Sequence, residues 1–141
     1  MKPVFASFSA EQGDDIAIRE VLELLDAEER SHVSTVCYDG DTDVIISLFA
    51  KAKYVVGTRF HSVVLGLLCG AQVLPIVYSV KTSNMLEDFH QPYATFDDLP
   101  ATMDGAPIAY MDDATYEKTH REAVRQFAGL DRFLEEKARH R

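Results

Sequence analysis

The sequence lacks several features that would place it in a common class of protein. No apolar run approaches the roughly 20 residues that cross a bilayer, and the first residues turn acidic before the apolar stretch of about 7–15 residues that a secretory leader needs. The two cysteines, Cys37 and Cys69, form no CxxC pair and no metal-ligand spacing. This pattern predicts two buried thiols in a reducing compartment. We therefore expect a cytoplasmic protein with no transmembrane segment and no metal site.

Positive charge is also scarce. The 141 residues include 14 Lys and Arg against 23 Asp and Glu, which gives a formal net charge of −9. Because a protein that neutralises nucleic-acid phosphates needs a basic face, we expect no nucleic-acid partner. If the chain binds an anion, the positive charge that holds the anion must be local.

Apolar residues, in contrast, are plentiful, at 47% of the chain. Their abundance excludes a disordered chain, and the length predicts a single domain over residues 1–141. Strand-like segments begin near residues 3, 32, 54 and 72, with one helical stripe between each pair and a further strand expected at 107–111. This alternation predicts an α/β fold: one Rossmann-like domain, with a parallel sheet of about five or six strands flanked by helices.

Three further predictions concern Pro75, Gly70 and the C-terminal helix. Pro75 cannot donate to a sheet ladder, so the fourth strand is expected to be an edge, to bulge or to start late. Gly70 is placed to end an apolar helix over 59–69, which is expected to be buried. A long helix is expected from about Asp112, with one apolar face (Tyr116, His120, Ala123, Phe127, Leu130 and Leu134).

One stretch, residues 55–62 (VVGTRFHS), has the pattern of a binding site. A buried strand ends at Gly57, Thr58 is placed to cap a helix, and Arg59 and His61 fall in the first helical turn. Helix N-termini at the carboxyl end of parallel strands favour anions. Arg59 adds a planar charge suited to phosphate or carboxylate, and His61 a group that moves protons near neutral pH. The alternatives are an Arg59 paired with a carboxylate and a His61 packed in the core.

A second candidate follows the fourth strand, at residues 78–84. Because loops after parallel strands meet at one edge of a sheet, this segment is expected to lie beside residues 58–61. Lys81 would add a point charge and Ser79 a hydrogen-bond donor. The alternative is an ordinary strand-to-helix loop with a solvated lysine. Asp14 and Asp15, in contrast, are predicted to begin a helix.

Three segments of the chain resemble the polysaccharide pyruvyl transferase family. They are residues 55–62 (VVGTRFHS), 65–71 (LGLLCGA) and 73–81 (VLPIVYSVK). Members of that family are similar to two-domain GT-B glycosyltransferases and transfer the enolpyruvyl unit of phosphoenolpyruvate to sugar hydroxyls. The resemblance implies that this chain is the C-terminal, donor-binding half, without a cofactor. It implies His61 as the catalytic acid or base and a substrate-binding set of Arg59, Thr58, Ser62, Lys81 and Ser79.

The resemblance also implies a partner domain. A GT-B enzyme has two Rossmann-like halves, and 141 residues suffice for one. We therefore expect the saccharide acceptor to bind through an N-terminal half that is absent from this chain. The chain alone is expected to bind the donor weakly and to turn over little.

Two other functions fit the same residues. One is the donor domain of a GT-B glycosyltransferase or sugar-nucleotide epimerase, in which Glu87 or Asp88 would hold the ribose. The other is a degenerate domain that binds or assembles without catalysis. Binding of phosphoenolpyruvate, of a uridine diphosphate sugar or of neither distinguishes the three.

Overall fold

A computed structural model describes residues 2–99 and 105–139 and shows an α/β fold. The four strands in these residues are β1 (Val4–Ser7), β2 (Ser34–Cys37), β3 (Tyr54–Gly57) and β4 (Gln72–Pro75). The α-helices are α1 (Asp14–Leu24), α2 (Ala27–His32), α3 (Thr42–Phe49), α4 (Phe60–Leu68), α5 (Val80–Asp88), α6 (Asp113–Gln126) and α7 (Ala128–Arg139). A short 3-10 helix, Ala10–Gln12, precedes α1. The predicted alternation of strand and helix is confirmed.

The strands form two separate parallel pairs rather than one sheet of five or six strands, so that prediction is wrong. In the first pair β1 runs beside β2, with Val4 opposite Ser34 and Ser7 opposite Cys37. In the second pair β3 runs beside β4, with Tyr54 opposite Gln72. Within the described residues β1 and β3 are not hydrogen-bonded to each other as strands. The parallel direction is as predicted, and the sheet is split between β1 and β3.

Proline accounts for part of the difference between the predicted and the observed number of strands. Among the described residues β4 pairs with one strand, β3, so the edge position expected from Pro75 is confirmed, and Pro75 is also the last residue of that strand. The expected fifth strand at 107–111 begins with Pro107, which has no N–H to donate. Of that segment only Ala109 pairs with β4, by an antiparallel bridge to Val73 with N···O distances of 2.7 and 2.9 Å. A bridge of one residue therefore replaces the strand.

Helix starts follow the sequence closely, because their capping interactions are local. Asp41 caps α3 by accepting from the amides of Asp43 and Val44. Asp112 caps α6 by accepting from Thr115 N at 2.7 Å, at the expected start of the C-terminal helix. The sequence analysis did not predict α2, although Asp26 and Glu29 form a capping box at its start.

The core lies where α4 and α5 pack on the second strand pair. Its fully buried side chains include Val63, Leu67, Val73 and Leu86. Gly66 makes the close approach possible, because a Cβ there would lie 2.8 Å from Val73 Cγ2. Gly70 follows the helix with φ of 73°, as predicted. The burial predicted for α4 holds for most of the helix: within Phe60–Leu68 only His61 and Leu68 are exposed, Leu68 at 51%.

The described residues also bear on the cysteines and on the prediction of no transmembrane segment. Cys37 is exposed and Cys69 half-buried, so the prediction of two buried thiols is wrong. Cys37 is the last residue of β2, in which half-buried and exposed residues alternate. None of the helices described is both long and apolar enough to cross a membrane. His140, Arg141 and Pro100 lie outside the described residues.

Candidate functional site

The candidate site forms where the loops after β3 and β4 meet. Arg59 follows β3 and Tyr78 follows β4, and the two strands are parallel and in register. Arg59 Nη1 donates a hydrogen bond to Tyr78 Oη at 2.9 Å. The prediction that these two loops lie at one edge of the sheet is therefore confirmed.

Gly57 sets the tight turn that leads from β3 into α4. A Cβ at this position would lie 2.9 Å from Val63 Cγ2 and 3.1 Å from Ser62 Oγ, so a larger residue would push the helix away from the strand. Arg59, not Thr58, occupies the N-cap position, and no side chain of the described residues caps this helix. The predicted cap at Thr58 is therefore wrong. The first amides of α4 are left without an intrahelical acceptor.

Ser62 is buried in the first turn of α4 and supports the backbone of this turn. Its hydroxyl donates to the carbonyl oxygen of Arg59 at 2.7 Å. The bond fixes the N-cap residue relative to the helix. The Arg59 side chain thus starts from a rigid backbone.

Asp14 is the main partner of Arg59. Its Oδ1 accepts from Arg59 Nε at 2.9 Å and also from Nη2. Its Oδ2 accepts from the backbone amides of Phe8 and Ser9, both at 3.0 Å, at the end of β1. The pair links the loop after β1 to the loop after β3.

The environment of this pair favours two charged groups. Burial raises the pKa of Asp14, but the hydrogen bonds from Arg59, Phe8 and Ser9 outweigh burial and hold that pKa below its ordinary value. The hydrogen bond to Asp14 raises the pKa of Arg59. Their side chains are 14% and 23% exposed, respectively. Asp14 is therefore an ionised, largely shielded carboxylate that holds the arginine in place.

Gln12 completes the set of groups around Arg59. Its side-chain oxygen accepts from Nη1, and its backbone carbonyl lies 3.4 Å from Nη2. Three loops thus converge on one guanidinium, through Gln12 and Asp14 after β1, Arg59 after β3 and Tyr78 after β4. All three guanidinium nitrogens are engaged.

His61 and Lys81 both contact the Phe60 ring. The His61 ring packs edge-on against Phe60, with ring centroids 5.6 Å apart. Lys81 Nζ lies 3.9 Å from the Phe60 centroid, within the range of a cation–π interaction. Both side chains are exposed. They form a second group of candidate residues around Phe60, the residue that follows Arg59.

Ser79 caps α5. Its hydroxyl accepts from Thr82 N at 3.4 Å and lies 2.9 Å from Thr82 Oγ1. Both interactions are internal to the first turn of α5. In this structure Ser79 organises the helix that carries Lys81.

A cleft of about 800 Å³ lies between β1 and β3, where the sheet is split. Its walls come from both strands, from α1 and from the end of α3, and most of the lining is apolar. Asp14, Thr58, Arg59 and Ser62 line it as well. The volume falls within the range of small-molecule sites, about 300–1,000 Å³. Ser79, Lys81 and His61 are not among the lining residues described.

The family profile for polysaccharide pyruvyl transferase matches residues 1–80. The chain belongs to the polysaccharide pyruvyl transferase family. The match extends from before β1 to the first residue of α5. It therefore includes Gln12, Asp14, Arg59 and His61, and it ends one residue before Lys81. No curated protein and no solved structure matches the chain.

The sequence analysis gave no role at this candidate site to Gln12, Asp14 or Tyr78, although Tyr78 lies in the predicted segment 78–84. Asp14 was assigned only the role of starting a helix, which is correct but incomplete. The signal available was chemical: a first-turn arginine beside a buried helix needs an acceptor. The sequence does not show which of the 23 acidic residues is that acceptor.

Among residues 2–99 and 105–139, no three His, Cys, Asp or Glu side chains lie close enough together to hold a metal ion.

Proposed function

We propose that this domain binds phosphoenolpyruvate as the donor for pyruvyl transfer to a sugar, with Arg59 as the anion-binding residue and His61 as the proton-transfer residue. One observation carries the proposal. The loops after β1, β3 and β4 position one arginine, largely shielded from solvent, at the uncapped start of α4, within the segment that matches the family.

The chemistry of the donor suits these groups. Phosphoenolpyruvate carries a phosphate and a carboxylate, and guanidinium groups bind both through paired hydrogen bonds. The first amides of α4 supply further donors and the positive end of the helix dipole. Lys81 supplies a second positive charge, held near the start of α4 by Phe60. The positive charge proposed to bind the anion is therefore local, in a chain whose net charge is −9.

Ketal formation requires two proton movements that a histidine can assist. Two hydroxyl groups of the acceptor sugar form bonds to the central carbon of phosphoenolpyruvate, and the bond from this carbon to the phosphate oxygen breaks. The two hydroxyl groups release two protons. The terminal CH₂ takes up one proton equivalent and becomes CH₃, and the departing phosphate takes up the other. We assign the proton transfer to His61, whose exposed ring lies two residues after Arg59 in the family segment.

We assign the remaining candidate residues to supporting roles. Ser62 fixes the Arg59 backbone, Ser79 begins the helix that carries Lys81, and Thr58 lines the cleft beside Arg59. To contact the anionic donor directly, Ser62 would have to turn its hydroxyl proton away from the Arg59 carbonyl, because phosphate and carboxylate oxygens accept hydrogen bonds.

We further propose that the chain is equivalent to the donor half of a GT-B enzyme and that the acceptor sugar binds through a second domain. This arrangement predicts little or no pyruvyl transfer by the 141-residue chain alone. Rapid phosphate release from phosphoenolpyruvate and a sugar acceptor by the purified chain would contradict it.

The nucleotide-sugar alternative receives less support from the geometry. Glu87 and Asp88, the acids proposed to hold a ribose, are the last two residues of α5. At 1.5 Å per residue they lie about 12 Å along the helix from the loop at Ser79. Glu87 also accepts a hydrogen bond from Tyr93 Oη at 2.9 Å.

Titration calorimetry tests the proposed donor. Phosphoenolpyruvate, inorganic phosphate and a uridine diphosphate sugar are each titrated into the chain and into its Arg59→Ala variant. We expect selective binding of phosphoenolpyruvate and at least a tenfold loss of affinity in the variant, since a charge-assisted pair contributes about 1.5–3 kcal/mol.

The matched control is Arg19→Ala, because Arg19 forms only an exposed ion pair with Asp15 on α1. Binding of phosphoenolpyruvate should be unchanged in this variant. Binding of the nucleotide sugar alone would favour the glycosyltransferase alternative. The absence of binding by all three ligands would favour a non-catalytic domain.

A further inference from the structure

Arg59 has no vacant edge for an anion in this structure. A guanidinium has five N–H groups in one plane. Nε and Nη2 donate to Asp14 Oδ1, while Nη1 donates to Gln12 Oε1 and Tyr78 Oη. Nη2 also faces the Gln12 carbonyl at 3.4 Å. An anion that pairs with this guanidinium in its plane must therefore displace one of these partners.

Asp14 is the partner of Arg59 that an incoming anion does not displace. Its carboxylate is 14% exposed, and two backbone amides hold its second oxygen at 3.0 Å. Removing this charged acceptor from Arg59 would leave a shielded carboxylate without its cation, which is costly. The Nε edge of the guanidinium is therefore fixed.

Gln12 is the partner of Arg59 that an incoming anion can displace. It is exposed, its side chain is neutral, and it ends the three-residue 3-10 helix. Gly13 follows with φ of 80°, a conformation that glycine adopts without strain. An ionised phosphate or carboxylate forms a hydrogen bond to guanidinium roughly twice as strong as a neutral acceptor does. Exchange of Gln12 for an anion is thus favourable at little conformational cost.

We propose that Gln12 occupies, in the ligand-free protein, the place on Arg59 Nη1 that the anionic group of the substrate takes, and that it thereby lowers the affinity of the site for anions. The inference rests on the proposed role of Arg59 as the anion-binding residue. Gln12 is then a determinant of affinity rather than a ligand of the substrate. Asp14 is a positioning residue that keeps the guanidinium oriented during the exchange.

Two substitutions at Gln12 test this proposal in opposite directions. Gln12→Ala removes the competing acceptor, so phosphoenolpyruvate and inorganic phosphate should each bind about two- to tenfold more tightly, the effect of one hydrogen bond to a charged group at an exposed position. Gln12→Glu replaces the amide oxygen by a carboxylate of the same length. Both anions should then bind at least tenfold more weakly.

The matched control is Gln126→Ala, the same substitution at the exposed end of α6. Dissociation constants of the four proteins are measured by titration calorimetry at one ionic strength, and thermal unfolding checks that each variant is folded. Unchanged or weaker binding by Gln12→Ala overturns the proposal, because it would make Gln12 neutral or a substrate ligand. Tighter binding by Gln12→Glu overturns it as well.

The binding data for Arg59→Ala distinguish failure of the proposed role of Arg59 from failure of the inference on Gln12. If Arg59→Ala binds phosphoenolpyruvate as well as the unsubstituted chain does, the assignment of Arg59 itself is wrong. If Arg59→Ala loses binding while Gln12→Ala weakens it, the assignment of Arg59 stands and the inference on Gln12 falls.

Discussion

Arg59 concentrates the chemistry of the site, yet it is not an isolated positive charge. The sequence indicated that any anion-binding charge had to be local, and it left open that Arg59 pairs with a carboxylate. The pairing with a carboxylate is observed, because Asp14 accepts from the guanidinium on its Nε edge, whereas Nη1 donates to neutral acceptors. Anion binding at Arg59 stays a proposal. An arginine anchored in this way is oriented before the ligand arrives, which lowers the entropic cost of binding.

The first prediction at the residue scale concerns Asp14 and pH. Its folded-state pKa lies below the ordinary 3.8, so its stabilising effect is complete above that value and is lost as pH falls through the folded-state pKa. Asp14→Asn should lower the free energy of unfolding by about 1–3 kcal/mol at pH 7. The difference from the unsubstituted chain should shrink below about pH 4.

Urea unfolding at pH 7, 5 and 3.5 measures this effect. Asp15→Asn is the matched control, since Asp15 lies in the same first turn but forms only an exposed i,i+4 ion pair with Arg19. Such pairs contribute about 0.3–0.5 kcal/mol. Equal destabilisation by the two variants would show that the helix start, not Arg59, determines the effect of Asp14.

The second prediction at the residue scale concerns His61. In the active enzyme that contains this domain, His61→Ala should lower kcat by about 10²–10⁴, the usual contribution of general acid–base catalysis. His120→Ala, a substitution of an exposed histidine on α6, should leave kcat unchanged. Steady-state release of phosphate from phosphoenolpyruvate measures both. Unaltered turnover in His61→Ala would remove this residue from the mechanism.

At the scale of elements, α4 determines where the site lies. It packs so closely on the second strand pair that a Cβ on Gly66 would meet Val73 Cγ2 at 2.8 Å and Val55 Cβ at 3.4 Å. Val73 is fully buried and has little room to move. The position of Arg59 at the start of α4 therefore depends on a small residue two turns later.

Two glycine substitutions test the packing of α4. Glycine to alanine in a helix normally stabilises by about 1 kcal/mol. Gly129→Ala in α7, with nothing within 4 Å of the added Cβ, should follow this rule. Gly66→Ala should instead destabilise by about 1–3 kcal/mol, because it overpacks the core. Thermal unfolding of the two variants measures both signs, and a stabilised Gly66→Ala would contradict the close packing.

At the scale of the molecule, the fold divides into a packed part and an exposed helical part. α4 and α5 with the second strand pair form the core, whereas neither α6 nor α7 contains a buried residue. The predicted apolar face of the C-terminal helix exists, but its large side chains are about half exposed: Tyr116, Phe127, Leu130 and Leu134. The predicted helix is also divided, with Phe127 between α6 and α7.

This division predicts that the C-terminal helices are dispensable for folding of the rest. A chain that ends after Met111 should keep its unfolding free energy within about 1 kcal/mol, or about 4 °C in Tm for this size. Calorimetry of the full and shortened chains makes the comparison. Loss of cooperative unfolding in the shortened chain would show that α6 and α7 stabilise the core.

The sequence by itself determined the features that depend on neighbouring residues. Helix starts at Asp41 and Asp112, the helix end at Gly70 and the alternation of strand and helix follow from capping and periodicity over a few positions. The segment from Gly57 to Ser62 also stood out in this way, as polar residues at the start of an apolar helix. Together these features were enough to indicate an α/β fold and the family.

Only the tertiary structure decided which distant residues meet. Asp14 and Arg59 are separated by 45 positions, and no local pattern selects one carboxylate from 23. The split between β1 and β3 likewise depends on packing between elements, which strand propensity does not encode. The physical reason is the same in both cases, since side-chain pairing across the fold is set by the positions of whole elements rather than by sequence neighbours.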